Sequence, residues 1–526
     1  MLDFVWKSFA NHAKMSQKEP SRCELPRLRT ATKLIDNPVA GRSVMHSSIK
    51  ISNLNNSEVL SYPLVMIKGQ VIESSGRASG VITAKMSTSN HDWPVVNGKF
   101  KILLLLEEGM NNIELIFESA SVDLDLKFEP QARKFVVTPV YIVSSGHDGT
   151  FQGPEGVDCS LEAALARIKL GVQLLQSVVA EKLWEQGLGR RTFSIDCDPV
   201  VHSSSLTLEE AQKMSQDELW SHYGRDLVTK WGAEEARSRK FVAFLSCTRY
   251  EGAERSRGLM HDDVLALTKG HAALGGGGLA IFGTACLHTW PRLLEDVNIC
   301  FGDTTEVDQQ LLMDDSGYRG TYGGCYSTTL GAVLHELCHT FDLGHTKKGI
   351  MGRGFDRMDL IFSPDETQDT AITPPAHHVV DFTVNLKVDC ITNVEPKIEQ
   401  KQMFGLKKSR SSSNNLLLMD CRDQIYFTQS CAYILAFHKW MIDEKMSKTG
   451  IISFDSESWT LKSSLGLKVI EIREGDAQLV CNFWTFSQSR LLFVVPRSNI
   501  PDKTKPPLML FTQDIGGNIF KSNLSL

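Results

Sequence analysis

No two of the twelve cysteines are spaced as CxxC or in another close repeat, so neither a structural zinc knuckle nor a compact disulfide scaffold is expected. Reduced thiols are expected instead. Charge of one sign is also scarce: 56 Lys and Arg against 62 Asp and Glu give a formal net charge of −6, and with it no general attraction to nucleic acid or to a membrane surface. Residues 1–36 include Phe4, Val5, Trp6 and Phe9 but lack the continuous apolar core of a secretory signal, and no later stretch reads as long enough to cross a bilayer. A cytoplasmic or nuclear location is therefore expected, with no nucleic-acid or membrane partner. The glycine run Gly275 to Gly278 lacks the Lys-Ser/Thr ending and the immediate helix of a phosphate loop, which argues against nucleotide binding. What is present, 42% hydrophobic and 22% charged residues, is the composition of a soluble globular protein, and 526 residues suggest two or three domains.

Chemistry is concentrated in the eleven residues from His335 to His345. On a helix, His335 and His339 lie four apart on one face and can present two ring nitrogens to one ion, the HExxH pattern. Glu336 is rotated about 100° from His335 around the axis, which brings its carboxylate beside an open coordination position and makes it the candidate general base. Leu330, Leu334, Leu337 and Phe341 form an apolar stripe that would anchor such a helix. Cys338 points off the ligand face and reads as a packed thiol. A break near Gly344 would let His345 fold back as the third ligand, with Asp356 as a rival carboxylate ligand. Gly349 and Gly352 flank Met351 in a tight-turn pattern.

His335, His339, His345 and Met351 match, one by one, the ligands and methionine turn of the metzincin metallopeptidases, which this segment resembles. Asp342 stands where that clan usually has glycine. Further strings, among them Lys240 to Phe244, Thr248-Arg249-Tyr250, Gly275 to Gly283, Thr289-Trp290-Pro291 and Gly352 to Asp356, resemble the eukaryotic putative zinc metalloproteinases, the putative peptidase family Metallopep, over most of residues 48–447. The resemblance implies a Zn2+-dependent, metzincin-like endopeptidase acting on a peptide or protein substrate. In that clan a strand upstream of the metal helix pairs with extended substrate, and Leu279, Ala280, Ile281, Phe282 and Gly283 are the candidates, read as an edge strand.

The expected fold class is α+β and multidomain. Residues 1–47 form a flexible tail, and residues 48–130, with period-two alternation and an Asn97-Gly98 turn, form an accessory β-sandwich similar to immunoglobulin-like modules. Residues 131–447 form the metallopeptidase domain, with a flexible basic, serine-rich insertion at about 401–415. It includes a strand at 135–143, a long helix capped by Ser160, a capping box at Thr207 and Glu210, and a helix over 423–446. Trp290, Tyr318, Tyr322 and Tyr326 read as packing residues, and His377-His378 as a loop pair rather than a second zinc site. A small β-rich module occupies 448–526. Two functions follow: hydrolysis with three histidines on zinc, water at the fourth position and Glu336 as base, or an inactive peptidase-like scaffold, which Asp342 would favour. Oligomeric state and specificity are left open.

Overall fold

Asn97 and Gly98 both adopt positive φ, 52° and 78°, the geometry that matches the right-handed twist of a two-residue hairpin. They join two strands of the first sheet in a computed structural model that describes residues 47–73, 76–252, 259–364, 425–500 and 507–524. The expected tail up to residue 46, the insertion at 401–415 and His377-His378 lie outside the described residues.

The first sheet has nine strands: β1 (Ser47–Ile51), β2 (Glu58–Leu60), β3 (Leu64–Glu73), β4 (Gly76–Arg77), β5 (Gly80–Lys85), β6 (Asn90–Val96), β7 (Lys99–Leu105), β8 (Gly109–Phe117) and β9 (Ala120–Phe128). Hydrogen bonding runs continuously in the order β1-β3-β7-β6-β5-β8-β9-β2, and β1 approaches β8 and β9. The expected sandwich is therefore one curled sheet. Alternation sends Ile113, Leu115 and Phe117 into its core.

The second sheet lies against the helix Tyr322–Thr340. Its strands are β10 (Val136–Ser145), β11 (Ser194–Ile195), β12 (Val200–Thr207), β13 (Arg239–Leu245), β16 (Ala273–Gly276) and β17 (Leu279–Gly283); β14 (Arg249–Tyr250) and β15 (Thr268–Lys269) form a separate short ladder. β10, β13 and β17 are parallel neighbours, and β16 runs antiparallel along the outside of β17. Both faces are covered, which is why β13 reads as a continuous apolar run. Val242, Phe244, Ala280 and Phe282 belong to the same buried cluster as the helix Leu161–Trp184, whereas Phe241, Ala243, Leu245 and Ile281 cluster with Leu219, Tyr223 and Leu227 of the helix Gln216–Trp231. The Ser160 cap and the Thr207–Glu210 capping box are both formed.

Two expectations are corrected here. Leu161–Trp184 is long and apolar enough to span a bilayer, contrary to the sequence expectation, but 78% of its most apolar window is buried between the sheets. The helix expected over 423–446 is confined to Gln429–Phe437, because His438 turns extended and Trp440 leaves the helix to donate from Nε1 to the Val136 carbonyl at 3.2 Å.

The last sheet comprises β18 (Ile452–Asp455), β19 (Thr460–Glu474), β20 (Leu479–Val494), β21 (Leu508–Asp514) and β22 (Ile519–Leu524). Buried side chains form one cluster that reaches from Leu54 in the first part of the chain to Val469 and Phe511 in this sheet, and His46–Leu526 is one compact unit. The division into separate domains is thus a proposal drawn from the sheets' positions.

Candidate metal centre

The helix Tyr322–Thr340 starts at Thr321, whose hydroxyl accepts from the Gly324 N–H, and runs beneath the second sheet. Leu330, Leu334, Leu337 and Cys338 are buried along it, while Ala332, Glu336 and His339 stay partly open. The helix ends in a Schellman turn: Leu343 N–H donates to the Cys338 carbonyl at 3.2 Å and Asp342 N–H to that of His339 at 3.1 Å. Asp342 takes the left-handed conformation, φ 65°, that the clan's glycine would supply. Aspartate tolerates that region because its short side chain can be held locally, so the chain still reverses and returns His345 to the helix.

The structure brings His335, His339 and His345 together. The Nε2 atoms of His335 and His339 are 3.1 Å apart, and those of His339 and His345 3.2 Å. These are not hydrogen bonds between rings. Each Nδ1 faces a main-chain carbonyl, Ile350 O for His335 at 2.8 Å, Leu343 O for His339 at 2.9 Å and Ala477 O for His345 at 2.6 Å, and a carbonyl only accepts. The proton is therefore assigned to Nδ1 in all three, leaving three Nε2 lone pairs converging. Tetrahedral bonds of ~2.0–2.1 Å would separate two ligand nitrogens by about 3.3 Å, so the donor set fits zinc. Burial keeps the rings neutral: it pushes His335 down to about 3, and also lowers His339 and His345. Among the described residues this is the one group of three or more such side chains whose ligand atoms converge. Asp356, the rival ligand, is instead paired with Arg353, Nε to Oδ2 at 3.0 Å.

Glu336 lies against β16. Its Oε2 accepts from the Gly275 N–H at 2.7 Å, and burial raises its carboxyl to about 8 despite that bond. The turn Gly349 to Gly352 closes on itself, Gly352 N–H to Gly349 O at 2.9 Å, and positions the Ile350 carbonyl under His335; Met351 beside it is buried. Leu279 to Gly283 do not form the expected edge strand. They are paired on both sides, with β13 and β16, because Ala273–Gly276 adds a further strand outside them. Trp290 and Tyr326 are core residues, and Trp290 Nε1 donates to Thr329 Oγ1 at 2.9 Å.

Sequence reasoning missed Gly275, Ala477 and Arg473. The glycine run was the available signal for Gly275: a Cβ there would strike the main chain of Glu336, so the strand reaches the helix only without one. Nothing local marks Ala477, which acts through its carbonyl.

A Schizosaccharomyces pombe protein named putative zinc metalloproteinase is 26% identical over 351 residues, which are 61% of this chain and 54% of that protein. A Saccharomyces cerevisiae protein of the same name is 26% identical over 383 residues, 64% of this chain and 53% of that protein. The chain spans about half the length of these curated relatives. Among solved structures, wild-type OgpA from Akkermansia muciniphila shares 10% identity, with 75% of this chain and 94% of that chain covered and a TM-score of 0.39. A catalytically inactive OgpA in complex with an O-glycopeptide substrate has 9% identity, coverage of 75% and 93%, and the same TM-score of 0.39; likeness at that level carries no argument. Residues 48–415, well over half of the chain, match Metallopep, described as a putative peptidase family, and the chain belongs to that family.

Proposed function

We propose that the chain is a zinc-dependent, metzincin-like endopeptidase that hydrolyses peptide bonds in a peptide or protein substrate. The observation that carries this reading is the convergence of three proton-free Nε2 atoms beside a half-buried carboxylate. His335, His339 and His345 would hold the ion, which when bound acidifies a water and polarises a carbonyl. Glu336 supplies proton transfer. With Oε2 fixed by the Gly275 N–H, its other oxygen takes a proton from the attacking water and returns it to the leaving amine nitrogen. Burial raises this carboxyl to about 8, and the positive charge of a bound ion would lower it again towards the range in which it can both accept and return a proton. Met351 and its turn support His335 from below through the Ile350 carbonyl. An extended peptide pairing with this sheet would meet β16 as its open edge.

The scaffold alternative drew on Asp342, and its left-handed turn removes that motive, since the departure from glycine leaves the path to His345 intact. The test is a peptide-library cleavage assay with Glu336→Gln beside the wild type. The variant is expected to retain zinc and to lose cleavage by roughly 10²–10⁴-fold, the usual contribution of a general base. Equal turnover in the two proteins would defeat the enzymatic reading.

A further inference from the structure

The loop that carries His345 is held mainly by the last sheet, whose residues lie beyond position 415, where the family match ends. Arg473 Nη2, on β19, donates to the main-chain carbonyl of Asp342 at 2.7 Å. Arg473 is itself fixed, buried against Glu471 at 2.7 Å and bonded to Gln478 Oε1 at 3.0 Å. The turn between β19 and β20 grips His345 from two sides: Ala477 O accepts from its Nδ1, and Val480 N–H donates to its carbonyl at 2.8 Å. Gly344 passes so close that a Cβ would lie 2.5 Å from the Gln478 carbonyl. On β22, Lys521 Nζ donates to Asp342 Oδ1 at 2.6 Å, while Asp342 Oδ2 lies 3.5 Å from His438 Nε2.

We infer that the C-terminal sheet is a positioning element for the third metal ligand. Arg473, Lys521 and the turn at Ala477 to Val480 clamp residues 342–345 so that His345 Nε2 meets those of the helix. The role presupposes the metal centre proposed above. It also explains the departure from the clan pattern: an aspartate at position 342 keeps the left-handed turn that glycine would give, and adds a carboxylate for β22 to hold. Outer partners of this kind fix a ligand's tautomer and ring orientation, and their loss typically weakens metal binding 10–100-fold.

The experiment uses the full chain and two readouts, zinc affinity by competition with a chromophoric chelator, and amide hydrogen exchange over residues 342–346 in zinc-free protein. Lys521 is 35% exposed, so Lys521→Met leaves the core intact. Lys521→Met and Asp342→Asn are each expected to weaken zinc about 10-fold and to speed exchange in the loop. The double variant is expected to be no weaker than either single one, because both remove the same contact. Lys521→Arg should restore affinity and exchange. Wild-type affinity and exchange in Lys521→Met and in the double variant would overturn the proposal and leave the sheet merely packed there. Failure of the wild type to bind zinc would overturn the metal centre itself, whereas the exchange result alone judges the clamp.

Discussion

Glu336 and Gly275 depend on each other in a way that neither side chain discloses alone. The carboxylate is half-buried, and its fixed oxygen is held by a main-chain N–H on a strand that can come that close only because position 275 has no side chain. Gly275→Ala forces its methyl group into the Glu336 main chain, so strand or helix must move. Overpacking of this kind typically costs ~1–3 kcal/mol, and the expected outcome is an unfolding free energy, measured by urea titration, lowered by that amount together with reduced cleavage. An unfolding free energy within about 0.5 kcal/mol of wild type would show that β16 yields freely and that the close approach is not required. The three histidines show the same dependence, each neutral ring being oriented by a carbonyl from a different stretch of backbone, Ile350, Leu343 and Ala477.

At the scale of elements, the metal helix is docked at a close crossing as well as by its apolar stripe. Gly331 packs directly on the Phe355 carbonyl of the short turn Gly354–Arg357. Arg319 ties the same region together, Nη2 donating to the Asp356 carbonyl at 2.6 Å and Nη1 to Asp359 Oδ1 at 3.2 Å, while Ser327 Oγ donates to Asp359 Oδ1 at 2.7 Å. Gly331→Ala gains helix propensity of ~1 kcal/mol but places a methyl group on that carbonyl. The steric term is expected to win, lowering the melting temperature; an unchanged or raised melting temperature would show that the turn can retreat. The helix end follows from the same local logic, since the Schellman bonds release the chain at Asp342 and aim it at the C-terminal sheet.

At the scale of the whole molecule, the site joins parts of the chain far apart in sequence. Glu336 meets the second sheet, His335 meets the methionine turn, and His345 meets the last sheet. Zinc bound to all three histidines would tie these parts together and stabilise the folded state in proportion to occupancy, ~2.7 kcal/mol at a free concentration one hundred times Kd. Zinc is therefore expected to raise the melting temperature of the wild type, a chelator to reverse the rise, and His345→Ala to remove most of it. A rise of the same size in His345→Ala would show that the ion binds elsewhere. The first sheet is joined to the long helix by a buried polar contact, Asn53 Nδ2 to Glu181 Oε2 at 2.9 Å, with Arg190 Nη1 3.3 Å from the other oxygen.

By itself the sequence determined what depends on neighbours a few residues away. Helical spacing set His335, Glu336 and His339 on adjoining faces, the alternation in 109–128 specified strands, and the conformational tolerance of aspartate allowed the turn at 342. Tertiary structure decided what depends on distant partners. It placed Ala273–Gly276 outside Leu279–Gly283, ended the helix at Phe437 so that Trp440 could reach Val136, and brought His345 to the two helix histidines with its Nδ1 on the Ala477 carbonyl while pairing Asp356 with Arg353. A ligand's identity is written in its side chain, but its direction is set by whichever backbone groups the rest of the fold brings to its other nitrogen.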